Sequence, residues 1–165
     1  MNIFYLDHCP KKAAQAHVDK HVVKMVLEYA QLLSTAHRVW DKQPQDSDII
    51  YAKTHENHPS AVWARHSGLA YDWLYELFCE TSAEYTYRYR KQHLTYTKLK
   101  DALKKKPIGL PNIKIWIPPT PAMPDEYKVK GNVIQSYRNY YRDGKLHLAT
   151  WSRRSQPEWY NTKEL

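Results

Sequence analysis

A chain of 165 residues, 42% hydrophobic and 25% charged, has the length of one domain and the composition of a globular one. No apolar run approaches the roughly 18 residues that a bilayer span needs, and the N-terminal MNIFYLDHCPKK has neither the basic start nor the apolar stretch of a secretory signal. A net charge of +8 points to a polyanionic partner, nucleic acid or a phosphorylated nucleotide, and 14 Tyr and 6 Trp against 2 Phe supply rings suited to stacking on bases.

Residues 2–6 (NIFYL) predict a short extended segment closed by Asp7 to Pro10. Cys9 and Cys79 lie far apart without zinc-ribbon or CxxC spacing, which reads as two buried free thiols. A long first helix is expected from about residue 10 to Trp40, with Pro10 in its first turn. DKQPQDSD is a polar loop, and a short segment near Ile49 to Thr54 leads into HENHPS. Pro59 then opens a second long helix, Ser60 to about His93, on which Trp63, Ala70, Trp73, Leu74, Leu77 and Phe78 recur at helical spacing. Thr95 to Lys106 either extends it or forms a short helix of its own. Residues 107–124 hold six of the ten prolines, which excludes a helix. Ile113, Ile115, Trp116 and Ile117 exclude a flexible linker, so this stretch reads as an ordered strap over the helices. PDEYK starts a third helix that runs to about Arg142 and stops at Asp143-Gly144, before the basic, aromatic tail KLHLATWSRRSQPEWY. The expected fold is mainly α: a single-domain helical bundle with a short extended N-terminus and a proline-rich wrapping segment.

The first helix carries the chemistry. At 100° per residue, His17, His21, Lys24, Glu28, Gln31 and Thr35 fall within roughly 40° of one line. Lys20 and Arg38 border this stripe, and most of the remaining circumference is apolar. Such a helix is largely buried, and its stripe faces either a narrow strip of solvent or an internal cleft. In a cleft, His21, Lys24, Glu28 and Lys20 are the candidate catalytic groups, because imidazole, amine and carboxylate together supply proton donors, acceptors and a nucleophile. His17 and His21 have the spacing of a helical zinc pair, but Val18 stands where HExxH requires Glu, so neither a metal nor a cofactor is expected.

The second helix places Glu80, Glu84, Arg88 and Lys91 near one face and interleaves Arg88, Arg90, Lys91 and His93 with Tyr85, Tyr87 and Tyr89. Cations neutralise phosphate while tyrosine stacks on bases; the other reading is a solvated helix end. Asn57-His58-Pro59 precedes a helix start, where free amides hold a phosphate or a side chain caps the helix. The candidate nucleotide- or phosphate-binding set is His17, Asn57, His58, Arg65, Glu84, Arg88, Tyr85, Lys91 and Arg153.

The run LDHCPKKAAQAHVDKHVVKMVLEYAQLLSTAHR, with HENHPSAVWAR, EYTYRYRKQH, AMPDEYK and SYRNYYRDGK, resembles an uncharacterised family of tailed-phage proteins over nearly the whole chain. That resemblance implies a phage origin and action in the host cytoplasm. Over residues 1–95 the order of features is also similar to the phage-type pyrimidine-dimer DNA glycosylases, the endonuclease V-like group. The short extended N-terminus, a helix with charged residues, Asn57-His58-Pro59, Trp63 and the helix through Glu84 and Tyr89 carry the likeness. It implies a small helical DNA-binding enzyme. Those enzymes use an N-terminal α-amine after Met removal, whereas Asn2 here keeps Met1 in place. Their catalytic Arg-Glu pair corresponds to Lys20-His21 or to Lys24 with Glu28.

Three functions are compatible with these features. The first is glycosylase/lyase-like chemistry at an N-glycosidic bond, in which an amine (Lys24, Lys20 or the N-terminus) attacks the sugar, Glu28 stabilises positive charge and His21 shuttles protons. The second is a non-catalytic sponge that sequesters a nucleotide signal in anti-defence. The third is a structural DNA-binding accessory.

Overall fold

The computed structural model of the protein describes residues 1–161. Among the described residues the chain forms helices and connecting segments and no β-strand, so the fold is mainly α. The helices are α1 (Pro10–Ala16), α2 (Asp19–Trp40), α3 (Pro59–Ala64), α4 (Gly68–Tyr89), α5 (Leu94–Lys104), α6 (Val133–Asn139) and α7 (Glu158–Asn161). α2 is central and packs on α3, α4 and α5, while α1 lies along α4.

The predicted first helix is two helices, because His17 and Val18 are extended, with ψ of 133° and 157°. The carbonyls at the end of α1 find partners from far along the chain instead of the next turn. Arg88 donates to the oxygens of Gln15 and His17, Trp151 Nε1 donates to Ala16, and Asp19 N–H donates to Thr150 O. Apolar spacing continues through the break and hides it.

The second helix is also interrupted, at Arg65–Ser67, where the Ser67 hydroxyl caps Ala70 N–H. α4 ends at Arg90 in the left-handed region (φ 56°), so His93 lies outside it and caps α5 through Thr95 N–H. The third is a 3-10 turn (Asp125–Tyr127), then α6, then a π turn (Tyr140–Gly144) in which Lys145 N–H reaches back to Tyr140 O. Trp63, Ala70, Trp73, Leu74, Leu77 and Phe78 are all buried, as their spacing predicts. Each such large side chain contributes roughly 1.5–3 kcal/mol of transfer free energy. Cys9 is exposed and Cys79 half-buried, so the expectation of two buried thiols is corrected; Cys9 lies at the α1 start, outside the core.

Ile3, Phe4, Tyr5 and Leu6 are fully covered without a strand partner. Their backbone groups are satisfied individually: Phe4 N–H donates to the Tyr29 hydroxyl, Tyr5 and Leu6 N–H bond back to Ile3 and Phe4, and Arg138 donates to Leu6 O. The proline-rich strap is ordered and extended. Trp116 anchors it against the rings of Tyr5, Trp63 and Trp73, and Trp63 Nε1 donates to Ile117 O, while Ile113, Ile115 and Ile117 face outward.

Candidate functional site

A pocket of about 200 Å³ opens where the N-terminus, α2 and the π turn meet. Met1, Asn2 and Phe4 line one side, His21, Lys24 and Glu28 the second, and Tyr140 and Lys145 the third. The i, i+3 and i+7 spacing along α2 brings the three polar residues to a common face.

Each wall is fixed by specific bonds. The Asn2 amide donates to Ala122 O at 2.8 Å, and its oxygen accepts from Tyr137 Oη at 2.7 Å and from Ile3 N–H. The Phe4 ring stacks on His21 at 4.0 Å and 18°. His21 Nδ1 lies 2.6 Å from Tyr141 Oη. Burial, reinforced by neighbouring His17 and by the charges of Lys145 and Lys24, holds the His21 pKa far below the usual histidine range. Glu28 is 15% exposed and sits 3.5 Å from Lys24 Nζ, which is 69% exposed. A pair this open contributes a few tenths of a kcal/mol to the fold, on the order of 0.3–0.5 kcal/mol. The π turn brings Tyr140 and Lys145 to the rim. A Cβ on Gly144 would lie 2.6 Å from the Tyr140 ring, so this turn requires glycine. His58 caps α3, its Nδ1 accepting from Ser60 N–H at 3.0 Å. Burial lowers its pKa, the positive chain terminus adds to that, and Glu28 opposes it, so His58 stands in the field of the same groups.

The remaining candidates are elsewhere. Lys20 is exposed and outside the pocket. His17 leaves the predicted stripe at the α1–α2 break and is fully buried: Nδ1 donates to Ala13 O and Nε2 accepts from Tyr29 Oη, both at 2.6 Å. With both nitrogens committed to the core, it has no ring atom left for a phosphate.

Glu84 and Arg88 form a buried strut rather than an exposed grip. Arg88 donates to Glu84, Asp19, His17 O and Gln15 O, and Glu84 also takes two bonds from Arg154. Arg153 lies over the Tyr87 ring at 4.8 Å and donates to Tyr87 O. Tyr85 packs against Tyr89 and His93, with Lys91 6.0 Å above its ring. Asn57 is exposed beside His58. Arg65 is partly covered at the end of α3, with Nη1 buried and unpaired among the described residues. Of the thirteen candidates, the structure therefore brings His21, Lys24 and Glu28 together, while His58 caps α3 outside the pocket's lining.

Sequence reasoning names the N-terminal amine but misses Lys145, Tyr140, Tyr141 and the lining by Asn2 and Phe4. The aromatic density of SYRNYYRDGK was the available signal, but a π turn has no periodicity that reveals it. Two larger, open grooves exist, one of about 650 Å³ with Lys12, Arg138, Arg154 and Trp159 along it, and one of about 870 Å³ beside α6. Neither gathers amines, a carboxylate and a histidine as the small pocket does.

Among the described residues, no helix is long and apolar enough to cross a membrane, and no three His, Cys, Asp or Glu side chains gather as a metal site. No protein-family model, curated protein or solved structure matches this chain.

Proposed function

We propose that the protein acts on nucleic acid or nucleotides by glycosylase/lyase-like chemistry at an N-glycosidic bond, with the N-terminal pocket as the reaction site. The observation that carries this reading is the convergence of amines, one carboxylate and one buried histidine from residues 1–4, 21–28 and 140–145 on a single small pocket. An unprotonated amine of Met1, Lys24 or Lys145 attacks the sugar C1′. The base departs with the bonding electrons and takes up a proton, and ring opening leaves an imine on the amine. Glu28 stabilises the positive charge that develops at C1′ and accepts the proton the attacking amine sheds. The chain's net charge of +8 favours a polyanionic partner such as a phosphate backbone, and the proposed setting is that of a phage protein acting in the host cytoplasm.

A non-catalytic reading, capture of a nucleotide signal, is favoured by one feature: two lysines and the terminus outnumber Glu28 in the pocket, a set that holds phosphate without proton transfer.

Borohydride trapping on ultraviolet-irradiated duplex DNA, with undamaged duplex and free nucleotides as controls, separates the two. The expected result is a damage-dependent adduct that peptide mass spectrometry maps to Met1, Lys24 or Lys145. Glu28→Gln should lower trapping about 10²-fold or more while sparing binding. No adduct and full recovery of an intact bound nucleotide would overturn the glycosylase reading in favour of capture.

A further inference from the structure

We infer that Tyr141 is a positioning residue that fixes His21 in its Nε2–H tautomer, making the pocket's histidine a standing hydrogen-bond donor rather than a proton shuttle. The inference deepens the reading of this pocket as the ligand site, but its test is independent of turnover.

The assignment follows from donor counting at the Tyr141 hydroxyl. Val18 N–H, 3.4 Å away, can only donate to Oη. The hydroxyl must then place its own hydrogen on an acceptor, and His21 Nδ1 at 2.6 Å is the acceptor in reach among the described residues. A neutral imidazole that accepts at Nδ1 carries its proton on Nε2. Nε2 makes no hydrogen bond among the described residues, and the ring lines the pocket.

His17 supplies an internal contrast. It also pairs with a tyrosine that receives a backbone N–H, since Phe4 N–H donates to Tyr29. Its Nδ1 faces Ala13 O, however, and a carbonyl only accepts, so His17 is the Nδ1–H tautomer. The same residue pair thus adopts opposite tautomers, set by which fixed backbone group each imidazole meets.

The His21 ring has little freedom to change. Phe4 covers one face at 4.0 Å, and the π turn holds Tyr141 inward while Tyr140 and Lys145 reach the rim. A second proton on Nδ1 would have to reverse the Tyr141 hydroxyl, whose hydrogen then finds no acceptor. The titratable and charged groups facing the ring are His17, Lys24, Glu28, Tyr141, Lys145 and the Met1 terminus, and the cations among them oppose protonation as burial does. The ligand atom that Nε2–H meets is therefore an acceptor, such as a base carbonyl oxygen, an unprotonated base nitrogen or a non-bridging phosphate oxygen, and not an amino group. A neutral imidazole donor can polarise such an acceptor without a change of charge.

The test is a two-bond ¹H–¹⁵N correlation spectrum of imidazole-labelled protein between pH 5.5 and 8, with the His21 signals identified by their loss in His21→Gln. The expected pattern has Nδ1 at an unprotonated and Nε2 at a protonated nitrogen position, unchanged over the range. In Tyr141→Phe, the His21 pattern should collapse to a tautomer average or begin to titrate near pH 6, while the His17 pattern persists. A wild-type His21 that is Nδ1–H, averaged or imidazolium in this range overturns the inference. So does an unchanged His21 pattern in folded Tyr141→Phe. If that variant does not fold, the wild-type spectrum alone decides.

Discussion

Replacing Arg88 with methionine is expected to loosen the α1–α2 joint at a cost that can be worked out bond by bond. The Arg88 side chain is wholly buried and donates to Glu84, Asp19, His17 O and Gln15 O. The two acids keep other partners after the substitution. Glu84 retains both bonds from Arg154, and Asp19 retains the backbone and hydroxyl of Ser152. The two carbonyls at the α1 terminus lose the partner that Arg88 supplies. An orphaned buried acceptor costs about 1–3 kcal/mol, and breaking a buried ion pair from one side about 3–5 kcal/mol. Because the acids are still partnered, a total of about 3–5 kcal/mol is expected, partly offset by the apolar fill of methionine. For a chain of this size that lowers Tm by roughly 6–20 °C. Urea unfolding followed by circular dichroism measures it directly, as a fall in midpoint at constant slope. A loss below about 1 kcal/mol would refute the reasoning, because it would mean that water serves these carbonyls as well as Arg88 does.

Three further outcomes follow from the geometry. Gly144→Ala places a Cβ 2.6 Å from the Tyr140 ring and 3.0 Å from Tyr127; a cost of about 1–3 kcal/mol is expected, and an unchanged Tm would show that the rings yield freely. Acid should destabilise the fold through its buried histidines: burial holds His17 down to about 3 and depresses His21 strongly, so both stay neutral when folded and take protons only when unfolded. Stability is then fully present above about pH 6.5 and declines below it toward the folded pKa values, by roughly 2–3 kcal/mol for the two together between pH 7.5 and 5.5; a urea midpoint that is flat over this window would contradict it. Lys145→Ala should weaken binding of a phosphorylated ligand and flatten its salt dependence, read by titration at two ionic strengths; unchanged affinity and slope would remove Lys145 from the site.

The helical class and the buried faces could be read from the sequence because they depend on local spacing. Trp63 through Phe78 and the His21–Lys24–Glu28 alignment are of this kind. The break between α1 and α2 could not, because its cause is remote: Arg88 and Trp151 supply the partners that end α1. Arg88 itself read as a surface cation, since a charge pair at i, i+4 has the same spacing whether it is solvated or buried. Lys145 and Tyr140 reach the pocket through a π turn, and Met1 and Asn2 through bonds to Ala122 and Tyr137. Neither arrangement leaves a periodic trace.

The beginning of the chain is stitched to its far end. Asn2 bonds Ala122 and Tyr137, Leu6 is held by Arg138, Ala16 by Trp151, and Asp19 by Thr150 and Ser152. During synthesis, the first twenty residues therefore leave the ribosome well before their partners exist. Helices α2 to α5 can assemble early through nearby contacts, while the joint around His17 waits for residues 137–152 and for closure of a loop of more than a hundred residues. The pocket then forms late, and a nascent chain carries its amines and carboxylate without the walls that would bring them to bear on a ligand.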